Sequence, residues 1–304
     1  MTADRPKVLK AYGALPGADR VVDLGDLGPW RPKLVATDLD GTLLDSAGEV
    51  TPRTRAALEA CWDAGIPVVG VTGRGPRLLD SVRQALDGRG IAVLAQGGFV
   101  VDLERDEVLR TVGLPRAQAA AVVERIEAVA GELIMAVEDA ATQAEARGEG
   151  LLRVQHGFNW PYPEPAHLLP KNEVLPPGAV LKVFLRSSTL GQDELLARAK
   201  GAVDPADAEV THAGLGFIEV LPPGITKATG LAVALERYGV GFADVLVFGD
   251  MPNDLPMIQA VSEAGGRSAA VANAHPAVRA AAGHLAGGHD ADGVARYLEA
   301  VLDV

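Results

Sequence analysis

Lys33-Leu-Val-Ala-Thr-Asp38-Leu-Asp40-Gly-Thr42 is an apolar, strand-like run that ends in two aspartates two residues apart, followed by Gly-Thr. If the chain stays extended past Asp38, the side chain of Asp40 returns to the same side. Gly41 then permits a sharp turn away. Two further apolar runs end in polar groups: Val68-Val-Gly-Val-Thr72-Gly-Arg74 and Val245-Leu-Val-Phe-Gly-Asp250-Met-Pro-Asn253-Asp254.

Working outward from these runs, strand and helix patterns alternate. Residues 34–37, 66–71 and 91–95 read as strands. Thr51-Pro52 opens a helix, with Thr as N-cap and Pro at its first position, and Gly65 closes it. Residues 76–86 read as a second helix, and 99–103 with 107–111 as a hairpin. This rhythm predicts an α/β fold with a Rossmann-like parallel-sheet core and right-handed crossovers. The middle differs. A long alanine-rich helix pattern over 115–130 precedes strand candidates at 133–137, 151–155, 180–186 and 208–212, with a helix at 191–200. Prolines cluster between 161 and 177, which predicts an irregular surface loop. The middle therefore reads as an inserted α+β cap domain over 113–213. The core comprises 33–112 and 214–304, and 1–32 form an N-terminal extension. After the insert, 217–221, 245–248 and 268–272 are predicted as returning core strands. Residues 226–238, 253–261, 275–282 and 293–302 are predicted as helices.

Composition bounds the function. Apolar residues make up 48% of the 304, enough for a substantial core. A net charge of −12 argues against non-specific nucleic-acid binding, while leaving room for a small anionic substrate. Cys61 is the single cysteine, so neither a disulfide framework nor a cysteine-rich zinc site is expected. No apolar run approaches the roughly 20 residues of a membrane helix, and residues 1–33 lack a secretory apolar stretch. The expectation is a soluble, cytoplasmic protein with no nucleic-acid or membrane partner; the pattern leaves the oligomeric state open.

In an open parallel sheet, ligands bind outside the carboxyl ends of the strands, so one site can collect the ends of all three runs. Asp38 is the candidate nucleophile toward a phosphoryl group. Asp40 is the candidate acid and base, protonating the leaving oxygen and then deprotonating water. Close carboxylates repel, and magnesium resolves the repulsion through oxygen ligands: Asp38, Asp250 and a backbone carbonyl near Asp40. Thr72 and Gly73 offer a hydroxyl and an unhindered N–H to phosphate. Lys227 adds positive charge at a helix start, and Asn253 adds an amide. Asp254 is expected to orient Lys227 or the metal's waters. Each group alone is an ordinary turn, cap or surface residue; their joint placement at strand and helix ends points to chemistry.

These residues resemble the haloacid-dehalogenase-like superfamily of aspartate-nucleophile phosphotransferases. The four motifs stand as Asp38-Leu-Asp40-Gly-Thr42, Thr72-Gly-Arg74, Lys227 and Gly249-Asp250-Met-Pro-Asn253-Asp254. The insert between the second and third motifs is similar to the large α/β cap of the Cof-type branch, subclass IIB. Leu221-Pro-Pro-Gly-Ile-Thr-Lys227, Val271-Ala-Asn273-Ala and Asp290-Ala-Asp-Gly-Val294 are further branch-like passages. The resemblance spans about 33–304. It implies magnesium-dependent phosphomonoester hydrolysis through an aspartyl-phosphate, with Asp38, Asp40 and Asp250 at the metal. Thr72, Gly73, Lys227 and Asn253 would hold the phosphate. Gln96-Gly97-Gly98 departs from an Asn-Gly pair common in the branch, and Asn273 reads as a structural turn residue.

A cap over a phosphate site excludes water and selects the leaving group. Arg153, Gln155, His156, Trp160, His167, Lys182 and His212 are its polar and aromatic candidates. Arg74 is a further candidate, since a guanidinium can pair with a second anionic group. The implied substrate is a small phosphorylated metabolite, such as a sugar phosphate. A phosphomutase or phosphotransferase shares every motif. A non-catalytic phosphometabolite-binding regulator is the third reading, disfavoured because both Asp38 and Asp40 are present.

Overall fold

The computed structural model describes residues 29–140, 152–160, 166–212 and 216–303. The chain opens with β1 (Leu34–Thr37), α1 (Pro52–Asp63), β2 (Val68–Val71), α2 (Leu79–Ala85), β3 (Ile91–Leu94), β4 (Phe99–Asp102) and β5 (Glu107–Thr111). Every residue of β1 to β4 is buried. Fully burying one Val or Leu side chain contributes about 1.5–3 kcal/mol, which is why these unbroken apolar runs become central strands. Thr51 caps α1 by accepting the Thr54 N–H, with Pro52 at the first helical turn. The helix predicted from residue 76 starts as a single 3₁₀ turn, Pro76–Leu78, before α2.

The middle of the chain supplies α3 (Arg116–Ala130), β6 (Leu133–Asp139), β7 (Leu152–Gln155), β8 (His167–Leu169), α4 (Lys171–Val174), β9 (Val180–Ser187), α5 (Gln192–Ala202), β10 (Glu209–His212) and β11 (Ile218–Leu221). The final stretch holds α6 (Lys227–Tyr238), β12 (Val245–Gly249), α7 (Leu255–Ala264), β13 (Arg267–Ala270), α8 (Pro276–Ala281), β14 (His284–Leu285) and α9 (Gly293–Leu302).

Two sheets result. The first has the order β14-β13-β12-β1-β2-β3-β4-β5 and is parallel from β14 through β3. β4 and β5 extend it as an antiparallel hairpin. From β1 the chain winds one way through β2 and β3, and later the other way through β12, β13 and β14. The crevice between the carboxyl ends of β1 and β12 is therefore a topological switch point. The α/β, parallel-sheet expectation describes this architecture.

The second sheet, β10-β11-β9-β6-β7-β8, is antiparallel except for β7 with β8. One face packs Leu133, Met135, Val137, Val183, Leu185, Ile218 and Val220 against α3 and α5. The alternate residues Ala136, Phe184 and Phe217 cluster on the other face with Phe158 and Trp160.

Two expectations need correction. Residues 217–221, predicted to return to the parallel core within 214–304, instead pair antiparallel with β10 and β9 as β11. Only five residues separate β10 from β11. That length suits a hairpin, whereas a parallel return needs a crossover of a dozen or more residues. The predicted irregular loop over 161–177 carries β8 and α4 in its described part. β14 escapes the pattern because it is only two residues long.

Candidate active site

Asp38 directly follows β1, and its N–H donates to the Phe248 carbonyl of β12 at 3.1 Å, which fixes it in the switch-point crevice. Asp250 directly follows β12 on the other side. Lys227 is the first residue of α6, whose start is set by Thr226 in a reciprocal capping arrangement with Thr229. The buried Lys227 ammonium donates to Asp38 Oδ1 at 2.6 Å and Asp254 Oδ1 at 2.5 Å. Asp254 Oδ2 accepts the N–H groups of Asp250 and Met251, each at 2.9 Å. Thr42 Oγ1 donates to Asp250 Oδ1 at 3.3 Å. Gly41 has φ +82°, and a Cβ there would lie 2.5 Å from Asp250 Oδ2, so the turn requires glycine on both counts.

The charges do not balance. Asp38, Asp250 and Asp254 are buried with ligand atoms within 4.8 Å of one another, facing one ammonium. Burial pushes Asp38 up to about 7; Lys227 pulls it down, while Asp254 and Asp40 push it further up. Asp250 is raised well above its ordinary value by burial, then by Asp38 and Asp254. Burial alone would lower Lys227, but Asp254 and Asp38 outweigh it and raise the ammonium. A buried donor set of hard oxygens with excess negative charge fits a divalent cation. Asp254 is geometrically part of the trio, but both its oxygens already accept hydrogen bonds. Asp254 accepts three hydrogen bonds in all, whereas the Asp38 and Asp250 side chains each accept one and keep more lone pairs free.

Asp40 stands at the mouth, its side chain 58% exposed. Arg74 grips it in a bidentate pair, Nε to Oδ2 at 2.8 Å and Nη2 to Oδ1 at 2.6 Å, and donates to Ser81 Oγ at 2.9 Å. Arg74 is thus engaged by Asp40 and Ser81, both outside the inserted unit. Thr72, directly after β2, is buried. Its Oγ1 accepts the Arg74 N–H at 3.0 Å, so its own proton stays available for a ligand oxygen. Gly73 lies against the Gln96 side chain, where a Cβ would come within 2.8 Å of Nε2. Asn253 sits in a 3₁₀ turn, Pro252–Asp254, rather than in the predicted helix, and donates to Gln96 Oε1 at 3.1 Å. Asn273 links loops: Nδ2 donates to the Gly41 carbonyl at 2.7 Å, and Oδ1 accepts the His289 N–H at 3.0 Å. Asp290 accepts from the N–H and hydroxyl of Ser46, at 2.7 and 2.5 Å.

The candidates in the insert divide. Arg153 donates to the carbonyls of Glu173 and Val174, and Gln155 accepts the Met135 N–H; both tie their own unit together. His156 and His167 are exposed. His212 lies beside Asp193 at 3.4 Å, lowered by burial against the opposing pull of that carboxylate. Trp160 packs with Phe184 and Phe217, under the Arg77 guanidinium at 5.3 Å. Lys182 is buried, donating to Glu219 Oε1 at 2.9 Å and to the Gly73 carbonyl at 2.5 Å. Cys61 is buried, its thiol pushed up to about 12 by that burial, and so is unreactive.

Sequence reasoning notes Arg77 beside the second motif but does not find Glu219, or the buried Glu138 that accepts from Arg77 Nη1 at 2.6 Å. Glu219 lies in a strand predicted to belong to the wrong sheet. The available signal was a lone charge within apolar runs: Glu in Phe217-Ile-Glu-Val-Leu221, and Lys in Val180-Leu-Lys-Val-Phe184.

Residues 35–298 match the family model described as haloacid dehalogenase-like hydrolase. The chain is 26% identical over 274 residues to the pyridoxal phosphate phosphatase YbhA of Escherichia coli strain K12, covering 88% of this chain and 97% of that one. It is 27% identical over 257 residues to the HMP-PP phosphatase of Shigella flexneri, covering 83% and 89%. Among solved structures, SMU.1108c from Streptococcus mutans UA159 superposes with a TM-score of 0.75 at 23% identity, over 90% of this chain and 100% of that one, a likeness of fold. Fold and matches together define a phosphatase-type enzyme with the inserted unit of the Cof-type branch. The chain belongs to the haloacid dehalogenase-like hydrolase family. Among the described residues, no helix is long and apolar enough to cross a membrane.

Proposed function

We propose that this enzyme hydrolyses small phosphomonoesters with magnesium, through an aspartyl-phosphate on Asp38. The observation that carries the reading is the excess of buried carboxylate around one lysine at the switch point, which suits a cation and a transferred phosphoryl group together. Asp38 and Asp250 would hold magnesium with the backbone carbonyl of Asp40, and the ion would supply neutralising charge to phosphoryl oxygens.

A carboxylate oxygen of Asp38 attacks phosphorus. The bond from phosphorus to the leaving oxygen breaks, and Asp40 gives that oxygen its proton. Water then attacks phosphorus, Asp40 takes its proton, and the bond to Asp38 breaks to release inorganic phosphate. Lys227, Thr72, Gly73 and Asn253 hold the phosphoryl oxygens, while Asp254 fixes Lys227. The inserted unit acts as the cap that selects the leaving group. The phosphorylated metabolites named for the relatives above, pyridoxal phosphate and HMP-PP, support a small substrate.

The test is a screen of phosphomonoesters with magnesium, repeated after exhaustive chelation. Release of inorganic phosphate that chelation abolishes is expected. Full turnover without a divalent cation would overturn the metal assignment, and an isomerised sugar phosphate without free phosphate would identify a mutase.

A further inference from the structure

A continuous chain of polar side chains crosses from the second sheet to the phosphate loops. Glu219 of β11 and Lys182 of β9 are buried and occupy the same face as Phe184 and Phe217. Glu219 Oε1 accepts from Lys182, whose ammonium also donates to the carbonyl of Gly73. Glu219 Oε2 accepts from Gln96 Nε2 at 2.8 Å, and Gln96 Oε1 accepts from Asn253 Nδ2 at 3.1 Å. One carboxylate of the inserted unit thus reaches both loops that would hold phosphate: one through Lys182 to Gly73, the other through Gln96 to Asn253.

The direction of these bonds follows from chemistry. An ionised carboxylate only accepts, so Gln96 must turn its NH₂ toward Glu219. That leaves its carbonyl oxygen for Asn253, which must therefore present its NH₂ on that side. The polarity of the Asn253 amide is set two residues away by Glu219. The backbone carries a second sign. Gln96 has φ +58° and ψ 17°, a left-handed conformation that disfavours a glutamine relative to glycine or asparagine. The local chain conformation gives no reason for glutamine here; its side chain does.

We propose that Glu219 is a positioning residue for the phosphate site, acting through Gln96 on Asn253 and through Lys182 on Gly73. The grip on phosphate is thereby conditional on the cap being docked. This rests on the phosphate-binding reading given above. It gives the cap a role at the transferred group as well as at the leaving group.

The test uses Glu219→Gln, which keeps the shape but loses the acceptor-only character, and Gln96→Gly, which removes the relay and suits the positive φ. Inorganic phosphate affinity is measured by calorimetry in magnesium buffer, KM and kcat with p-nitrophenyl phosphate, and folding by circular dichroism. Both variants are expected to fold, with the phosphate Kd and the KM rising about 10–100-fold and kcat changing less. Wild-type Kd and KM in either folded variant, or a fall in kcat alone, overturns the relay while leaving the hydrolase reading intact. A wild-type protein that binds phosphate more tightly than both variants but hydrolyses no monoester overturns the hydrolase reading and keeps the relay. A wild-type protein that binds no phosphate overturns both.

Discussion

Arg74 holds Asp40 by both carboxylate oxygens, at 2.8 and 2.6 Å, from the loop that also carries Thr72 and Gly73. The pair restrains the proposed acid at the mouth of the site, and each Asp40 oxygen, accepting one bond from the guanidinium, keeps a second lone pair for a proton. Replacing Asp40 by Asn is expected to lower kcat about 10²–10⁴-fold, the usual worth of a positioned acid and base. Arg74→Ala leaves the proton donor and removes only its restraint, so a loss of roughly tenfold or less is expected. Steady-state kinetics decides. An Arg74→Ala enzyme as impaired as Asp40→Asn would place Arg74 at the reacting atoms.

Asp38→Asn tests the nucleophile without threatening the fold. The amide nearly matches the carboxylate in shape, and the substitution removes a buried negative charge already disfavoured by burial. Lys227 keeps Asp254 as its partner at 2.5 Å. Phosphatase activity is expected to fall to background, while the melting temperature without metal stays equal or rises. Calorimetric melting alongside a phosphate-release assay checks both; undiminished turnover would remove Asp38 from the chemistry.

Strands β1, β2 and β12 and the proposed site motifs are legible in the sequence because each of these strands is an apolar run followed within two residues by a polar group, whereas β14, two residues long, is not. Asp38, Thr72 and Asp250 need only the knowledge that parallel strands share one carboxyl edge. The sheet membership of residues 218–221 is not legible that way, since a short apolar run pairs equally well in either sheet until its connections are known. Pairings across long separations are hidden for the same reason. Gln96 lies 123 residues from Glu219, and Lys182 lies 37 from it. Arg74 and Asp40 are each flagged by a motif, but no spacing rule says that one would occupy the other.

Lys227 links the site's electrostatics to stability. It is buried between two carboxylates, so Lys227→Met would leave Asp38 and Asp254 uncompensated. Breaking a buried pair from one side costs about 3–5 kcal/mol, a large share of a domain's stability. The expected variant is inactive and melts well below the parent. Denaturant titration measures the loss; a variant as stable as the parent would show that the carboxylates are neutral in the folded protein.

The raised carboxylates give a signed pH dependence for the metal-free protein. Asp38 stands at about 7 when folded, above its unfolded value, so its contribution to stability is full below about pH 4 and is lost as pH climbs through about 7. Asp250 is raised too and acts with the same sign. Metal-free protein should therefore lose stability between about pH 5 and pH 8. Magnesium competes with those protons for the same oxygens, so its stabilisation should grow over the same interval. Melting temperatures with and without magnesium, taken at about pH 5.5 and pH 8, read the difference directly. The expected magnesium-induced rise is larger at the higher pH. A rise that is equal at both, or larger in acid, would mean that the ion is not held by Asp38 and Asp250.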